Sequence, residues 1–245
     1  MSAYSVFAKY YDTLTSNVDY AHMARTIDDY VKEKAPVSNL LLDVACGTGS
    51  LAVELAKLGY DVIGADSSCE MLSNAMDKAY LQDRQILFLN QAMDELDLYG
   101  TVGVAVCTLD SINHVTDTNK VDKAFSKVSL FLEKDGVFVF DVNTTYKHSS
   151  ILADNTFVYD CEDVYCVWQN STENNVTTIN LDFFEKDGET YYRSSETFCE
   201  VAYSCEDIEK LLAKNGLKVI SKYDDYTKDA VSEKTQRIVY VVGKV

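Results

Sequence analysis

An acid and two glycines stand at a spacing that could hold a charged small molecule. The apolar run 40–42 ends in Asp43, Gly47 and Gly49 follow, and residues 50–58 then have helical spacing. This order predicts a buried strand, a tight loop and a helix. Glycine permits positive φ and close approach of a ligand, and a helix N-terminus offers free N–H groups. The segment therefore predicts a site for a nucleotide-like cofactor.

The identity of that cofactor depends on Asp43. Dinucleotide-binding folds have the pattern G-x-G-x-x-G after the first strand. Here Ala45 takes the first glycine place and Ala52 the third, where Ala is tolerated, so spacing alone leaves a nicotinamide-dependent oxidoreductase open. An acid at position 43 would lie beside a pyrophosphate, where negative charge is unfavourable. It suits a cofactor with an ammonium or sulfonium centre.

Residues 43–49, which read D-V-A-C-G-T-G, resemble the first motif of class I S-adenosylmethionine (SAM)-dependent methyltransferases. The resemblance extends over most of the chain. It implies SAM as the cofactor and a doubly wound α/β fold with a seven-stranded, mostly parallel sheet whose last strand is antiparallel. It also places Asp66, at the end of the second strand, where an acid binds both ribose hydroxyls, since a carboxylate offers two acceptors to a diol.

The cofactor's adenine end and its cover complete the implied site. Relatives usually carry Asp at Ala92, so Gln91, Asn90 or a backbone carbonyl would replace that contact. Tyr11 belongs to a segment, 7–12, that matches an N-terminal F-x-x-x-Y-D element folding over the cofactor; packing on the sheet is the alternative. The cofactor-binding residues that the resemblance implies are Tyr11, Asp43, Ala45, Gly47, Gly49, Asp66, Ser67, Met71, Gln91, Ala92, Met93, Thr108 and Asp110.

The polar run 110–114 is the candidate reaction site. It follows the predicted strand 102–107, and open α/β sheets bind ligands at the carboxyl ends of strands. Its sequence, D-S-I-N-H, resembles the D-S-L-N-Y of small stand-alone bacterial members. Methyl transfer to a small-molecule acceptor, at an N or an O nucleophile, needs that nucleophile and the methyl group held in line, and a protic nucleophile also needs a base. His114, with Asp110, is the catalytic candidate; a histidine held by the backbone at a helix start is the alternative, and no metal site is expected.

The elements that must position these residues follow from periodicity and capping signals. Strands are expected at 39–45, 60–66, 86–90, 102–107 and 137–143, with a turn at 133–136. Helices are expected from Ser16 or Asn17 to about Lys34, then over 49–58 and 67–80, from Asp117 or Thr118 to Leu132, and over 205–214.

Residues 151–203 have a different composition, with β-branched and aromatic residues between Asn- and Gly-bearing turns. The segment predicts an inserted antiparallel β meander that covers the active site as a subdomain, with 1–150 and 204–245 as the SAM-binding core. An oligomer interface or a solvated sheet face is the alternative. It holds eleven acidic residues against two basic ones, which favours a cationic or amine-bearing small-molecule acceptor. The predicted acceptor residues are Asn113, Asn143, Tyr146, Tyr165, Trp168 and Tyr192.

Composition limits the partners. A net charge of −17 without a Lys/Arg cluster opposes nucleic-acid binding. No apolar run approaches the roughly 20 residues of a membrane span, and the first residues lack a signal-peptide pattern, so we expect a cytoplasmic monomer or homodimer. Seven Cys without a C-x-x-C pair disfavour disulfides and zinc. The departures at Ala92 and in the turn 133–136 leave a non-catalytic SAM-binding protein open.

Overall fold

The structure, a computed structural model, describes residues 5–34, 36 and 38–245. No helix in these ranges is both long and apolar enough to cross a membrane. The elements in chain order are α1 (Ser5–Leu14), α2 (Tyr20–Lys32), β1 (Leu40–Val44), α3 (Ser50–Lys57), β2 (Asp61–Asp66), α4 (Cys69–Leu81), β3 (Leu87–Asn90), β4 (Val102–Cys107), α5 (Thr118–Phe131), β5 (Leu132–Asn143), a π-helix (Lys147–Leu152), β6 (Thr156–Asp160), β7 (Val164–Glu173), β8 (Val176–Asp187), β9 (Thr190–Val201), α6 (Cys205–Lys214), β10 (Leu217–Asp224) and β11 (Arg237–Lys244).

The central sheet has seven strands in the order β10-β11-β5-β4-β1-β2-β3. β1 pairs in parallel with β2 and β4, whereas β11, the last strand, is antiparallel to β5 and β10. The predicted fold class is thereby confirmed. The chain reverses its direction of strand addition between β1 and β4, which is where open α/β sheets form their ligand crevice, at the carboxyl ends.

Helices cover both faces of this sheet because its inner strands are apolar on both sides. α5 and α6 pack on one face, and α2 and α3 pack on the other. Every residue of β4 is buried. The carboxyl ends of the central strands are thus the part of these strands that a ligand can reach.

Strands β6 to β9 form a separate four-stranded antiparallel sheet in chain order, here called the meander. Alternate residues of its inner face, such as Ile179, Leu181 and Phe183, pack against α1 through Phe7 and Tyr10. The meander meets the carboxyl edge of the central sheet where Asn113, beyond β4, donates to the carbonyl of Val201 at the end of β9 at 2.8 Å.

Three local predictions were wrong. The helix expected from Ser16 or Asn17 begins later, as α2 at Tyr20, because Asp19 caps it by accepting the N–H of His22 at 2.8 Å. A helix that was not expected, α1, precedes it and packs its aromatic residues on the meander. The expected turn 133–136 lies inside β5 as a register irregularity opposite β4. The first Asn-bearing turn of the segment 151–203, for which the run 170–175 was expected, has only two residues. β7 continues to Glu173, and Asn174-Asn175 follow with φ of 50° and 64°.

Candidate active site

The loop after β1 takes left-handed backbone conformations at three residues. Ala45 has φ of 56°, and Gly47 and Gly49 have φ of +53° and +73°. A Cβ added to Gly49 would lie 2.9 Å from the Cβ of Ala75, so this glycine lets α3 begin against α4. A Cβ added to Gly47 would meet nothing within 4 Å. One glycine therefore serves close helix packing and the other leaves space beside the loop.

A cleft of about 420 Å³ opens at the carboxyl edge of the sheet, and a pocket of about 30 Å³ adjoins it. The cleft falls in the range of about 300–1,000 Å³ that is usual for small-molecule sites. Of the predicted cofactor residues, the cleft is bordered by Tyr11, Ala45, Gly47, Asp66, Ser67, Met71, Gln91, Ala92 and Met93, and the pocket also by Asp43 and Thr108. Gly49 packs under α4 and Asp110 is paired with Arg237, so neither is among the bordering residues.

Asp43 is the buried acid at the inner end of the site. It lies on β1 between Gly64 and Val106 of the neighbouring strands and is 2% exposed. Its Oδ2 has no hydrogen-bond partner among the described residues. Burial, and then the charge of Asp66, raise the pKa of Asp43 to about 8. An unpaired buried carboxylate is costly, and the ammonium group of SAM is a partner of the right charge for it.

Asp66, the last residue of β2, connects the loop to the cleft. Its Oδ2 accepts the N–H of Gly47 at 2.8 Å, and its Oδ1 accepts the N–H of Ser68 at 2.8 Å. Burial raises the pKa of Asp66, while these two bonds oppose the rise. Each carboxylate oxygen has a further acceptor position, so Asp66 retains capacity for a ribose diol.

The adenine end of the cleft differs in detail from the sequence expectation. The amide of Gln91 is engaged with the backbone of Asp97, donating at 3.2 Å and accepting at 3.0 Å. Asn90 donates to the carbonyl of Asp66 at 3.0 Å and holds the end of β2. Asp94, which is 8% exposed, borders the cleft and was missed. Its signal was an acid two residues beyond the position where relatives carry one.

Helix α1 covers the cleft. Phe7 and Tyr11 border it, and their rings meet edge to face at 5.3 Å. Asp12 accepts the hydroxyl of Thr48 at 2.6 Å, which ties α1 to the loop after β1. Glu196 on the meander accepts the N–H groups of residues 6 and 7 at 2.7 and 3.2 Å. The cover is therefore attached to both sheets.

The edge of β4 is held by a buried ionic network. Leu109 and Asp110 have φ of 54° and 56°, and Asp141 on β5 accepts the N–H of both at 2.7 Å. Arg237 donates to Asp141 at 2.6 Å and to Asp110 at 2.8 Å, and the hydroxyl of Tyr226 also donates to Asp141. Burial works to raise the pKa of Asp110, but neighbouring cations, Arg237 foremost, lower it to about 2.

His114 borders the cleft beside this network. Its Nε2 lies 3.6 Å from Oε1 of Glu200 and 3.9 Å from Oδ2 of Asp110. Burial lowers the pKa of His114 and Asp110 opposes this; burial, then Asp110, raise the pKa of Glu200 to about 8. His148 lies 3.7 Å from the other oxygen of Glu200. Sequence reasoning missed Glu200, which comes from β9.

The predicted acceptor residues Asn113, Asn143 and Tyr146 are not brought to the cleft lining in the described structure. Asn113 is fully buried, and its amide donates to the carbonyls of Asn143 and Val201 at 3.1 and 2.8 Å. Asn143 accepts from Lys147 at 2.9 Å. Tyr146 is half-buried at the start of the π-helix. Asn113 thus joins β5 to the meander.

The three aromatic residues predicted to contact the acceptor from the meander differ in the face of the sheet that they occupy and in their burial. Tyr165 and Tyr192 are 37% and 64% exposed, away from the cleft. Trp168 is half-buried on the inner face, where its ring meets Phe198 at 6.4 Å and its Nε1 donates to Asn170 at 2.6 Å. Phe198 in turn lies 5.1 Å from the ring of His114. Trp168 alone of the three thus adjoins the aromatic residues around the site.

Comparison with known proteins gives the same picture. Residues 41–136 match a family described as "Methyltransferase domain". YqeM of Bacillus subtilis (strain 168), which carries a methyltransferase name, is 32% identical over 244 residues, covering 98% of this chain and 97% of YqeM. The crystal structure of an S-adenosylmethionine-dependent methyltransferase from Clostridium acetobutylicum ATCC 824 has 36% identity and a TM-score of 0.90, covering 98% of each chain. A glycine/sarcosine N-methyltransferase from Parasynechococcus marenigrum (strain WH8102) is 25% identical, over 77% of this chain and 66% of that protein.

These findings confirm the methyltransferase fold and SAM as the cofactor, and they set aside the nicotinamide alternative. The unpartnered oxygen of Asp43 agrees with that cofactor's positive charge. The chain belongs to the S-adenosylmethionine-dependent methyltransferases.

Proposed function

We propose that this protein methylates the nitrogen of a small, amine-bearing acceptor at the edge of β4. When bound, SAM supplies an electrophilic methyl group on a sulfonium centre. The observation that carries the proposal is the arrangement of Asp43 and His114. The carboxylate of Asp43, whose Oδ2 has no partner among the described residues, lies at the inner end of the site, and His114 borders the connected cleft.

On this proposal, the chain holds the cofactor with its two motif acids. Asp43 pairs with the ammonium group, and Asp66 accepts from the ribose hydroxyls. Gly47 leaves space for the ligand beside the loop. Residues 1–150 and 204–245 act as the SAM-binding core, and residues 151–203 act as the subdomain that covers it.

The acceptor lies, in this proposal, between the β4 edge and the aromatic residues of α1 and the meander. His114 and Asp110 hold its nucleophile, and Phe7 and Phe198, whose rings are 5.7 Å apart, enclose it. Asp110 stays ionised near neutral pH, because its pKa is about 2. Carboxylates and aromatic faces both attract a cationic amine. The glycine/sarcosine N-methyltransferase relative also acts on amines, as its name states.

The test is release of S-adenosylhomocysteine on a panel of small acceptors. Glycine, sarcosine and amino sugars are compared with size-matched alcohols and phenols at equal concentration. Asp43→Asn should abolish turnover, whereas Asp61→Asn, an exposed acid at the start of β2, should leave it unchanged.

Turnover on amines alone supports the proposal. Turnover on oxygen acceptors alone overturns the choice of nitrogen. Tight SAM binding without turnover on any acceptor supports the non-catalytic alternative instead.

A further inference from the structure

Three side chains from two distant parts of the chain bring metal-ligand atoms together beside the cleft. They are Asp110, His114 and Glu200, and one donor atom of each lies within 4.8 Å of the others. Asp110 and His114 follow β4, while Glu200 stands near the end of β9. Sequence spacing did not reveal this set because the meander supplies its third member.

The three groups are close but not bonded to each other. The 3.6 and 3.9 Å separations from His114 to the two carboxylates exceed the roughly 3.2 Å limit of an ordinary N–H···O bond. Three atoms in the same place are buried without a hydrogen-bond partner in the described part of the chain: His114 Nδ1, His148 Nε2 and Glu200 Oε2. Glu200 and His148 are only 2% and 1% exposed. Buried polar atoms normally have partners, and these three adjoin the candidate ligand atoms His114 Nε2 and Glu200 Oε1, so the cluster has bonding capacity that its own side chains do not use.

The separations suit ligands that share one ion. Nitrogen and oxygen ligands lie about 2.0–2.2 Å from Zn²⁺, so two ligands of one ion are at most about 4.4 Å apart. The separations of 3.6 and 3.9 Å lie inside that limit. The third, which is within 4.8 Å, needs a shift of at most a few tenths of an ångström.

The neighbouring cations leave the ligand atoms free. Arg237 donates to Oδ1 of Asp110 at 2.8 Å, so Oδ2 still faces His114. Lys147 donates to Asn143 at 2.9 Å. Arg237 thereby fixes the orientation of the Asp110 carboxylate and leaves Oδ2 available as a ligand atom. One imidazole and two carboxylates suit Zn²⁺, Mn²⁺ or Fe²⁺, whereas alkali ions do not select a nitrogen ligand.

A second histidine stands behind Glu200. Nδ1 of His148 is 2.8 Å from the hydroxyl of Thr177, which fixes the ring. Its Nε2 is 3.7 Å from the second oxygen of Glu200. Partners of this kind orient the ligands of metal sites.

We propose that Asp110, His114 and Glu200 bind one divalent transition-metal ion. The open coordination position of this ion faces the cleft that His114 borders. Such an ion would bind an oxygen of the acceptor and leave the lone pair of the attacking atom available to the methyl group. His114 would then be a ligand of the ion instead of a free proton acceptor. The site does not depend on the acceptor's being an amine.

The experiment is a Co²⁺ titration of the full-length protein after dialysis against EDTA, followed by visible absorption and repeated calorimetrically with Zn²⁺ and Mn²⁺. We expect one equivalent of Co²⁺ to bind per chain. The visible ligand-field band should have the energy expected for coordination by one nitrogen and oxygen donors. Glu200→Gln and His114→Asn should each weaken binding at least about tenfold. Glu173→Gln and His22→Asn, both exposed and remote from the cluster, should bind as the parent does.

Circular dichroism and S-adenosylhomocysteine binding confirm that each variant is folded. Failure of the parent protein to bind one equivalent overturns the metal site whatever the variants do. Binding that survives both Glu200→Gln and His114→Asn, or that is lost in His22→Asn, also overturns it. None of these results bears on the cofactor, which is measured separately in metal-free buffer.

Discussion

Arg237 on β11 and Asp141 on β5 form a buried ion pair, with Nη1 2.6 Å from Oδ1. Asp141 has no exposed surface, and it also accepts the N–H groups of Leu109 and Asp110. The pair therefore connects the last strand of the sheet to the left-handed turn beside the cleft. An anion that accepts two consecutive N–H groups can hold a backbone conformation that Leu and Asp rarely adopt.

Asp141→Asn should destabilise the protein by about 3–5 kcal/mol, because it removes one of the two buried carboxylates that pair with Arg237 and weakens the acceptor of two backbone N–H groups. Urea unfolding followed by circular dichroism gives the difference. Asp135→Asn, on an exposed part of the same strand, is the control and should change stability little. Equal stability of the Asp141 variant and the parent would mean that the ion pair does not hold this edge.

Asp43→Asn should stabilise the unliganded protein at neutral pH. Burial raises the pKa of Asp43 from 3.8 to about 8 in the folded state. Ionisation therefore opposes folding: the cost is absent below about pH 4, grows as pH rises through the window to about 8, and is constant above it. The Tm of the variant minus that of the parent should increase between pH 5 and pH 8 and then level off. A difference that is independent of pH would show that Asp43 is not the buried acid described here.

Ligand binding should reverse the advantage of that variant. S-adenosylhomocysteine should raise the Tm of the parent but not of Asp43→Asn, because its ammonium group lacks a partner there. At pH 7 binding should also release a proton from Asp43, seen as a dependence of the calorimetric enthalpy on the buffer's ionisation enthalpy. Asp61→Asn should behave as the parent in both measurements.

Three glycine-to-alanine variants separate strain from crowding. Gly47, Gly49 and Gly188 all have positive φ, but only at Gly49 would a Cβ meet a neighbour closer than 3 Å. Gly47→Ala and Gly188→Ala should each cost about 1–2 kcal/mol from backbone strain, and Gly49→Ala should cost more. Gly47→Ala should also weaken S-adenosylhomocysteine binding, because its methyl group enters the cleft, whereas Gly188→Ala should not. Equal affinities of Gly47→Ala and Gly188→Ala would contradict a ligand beside this loop.

Glu196→Ala should loosen the cover of the cleft. Glu196 accepts the first N–H groups of α1, and loss of such a cap costs about 0.5–2 kcal/mol. We expect faster dissociation of S-adenosylhomocysteine in stopped-flow experiments and faster hydrogen exchange in α1. Glu189→Ala, at an exposed turn of the meander, should affect neither.

The parts of the site that sequence reasoning found are local in the chain. Asp43 and Gly47 lie on one strand and its loop, so their chemistry and spacing are visible together. Asp66 needed only one further strand, placed by the parallel order of the sheet. Fold class followed for the same reason, because each strand-and-helix unit carries its own pattern.

The parts that sequence reasoning missed come from long-range packing. Glu200 meets His114 only because the meander folds back over the edge of β4, and Arg237 reaches Asp141 only through antiparallel pairing of the last strand. Tyr165 has the right residue type for a cation site, but strand alternation turns it away from the inner face that Trp168 occupies. A shift of one residue along a strand decides which face of the sheet a side chain occupies. Amino-acid composition does not contain that information.

The most direct measurement is calorimetric titration of the protein with SAM and S-adenosylhomocysteine, with NADH as the control ligand, repeated on Asp66→Ala and on Asp77→Ala. Asp77 is an exposed acid on α4. We expect one equivalent of each sulfur ligand to bind the parent and Asp77→Ala, with binding lost in Asp66→Ala and none for NADH. Absence of binding to the parent, or equal binding by Asp66→Ala, would contradict the assignment of this cleft to the cofactor.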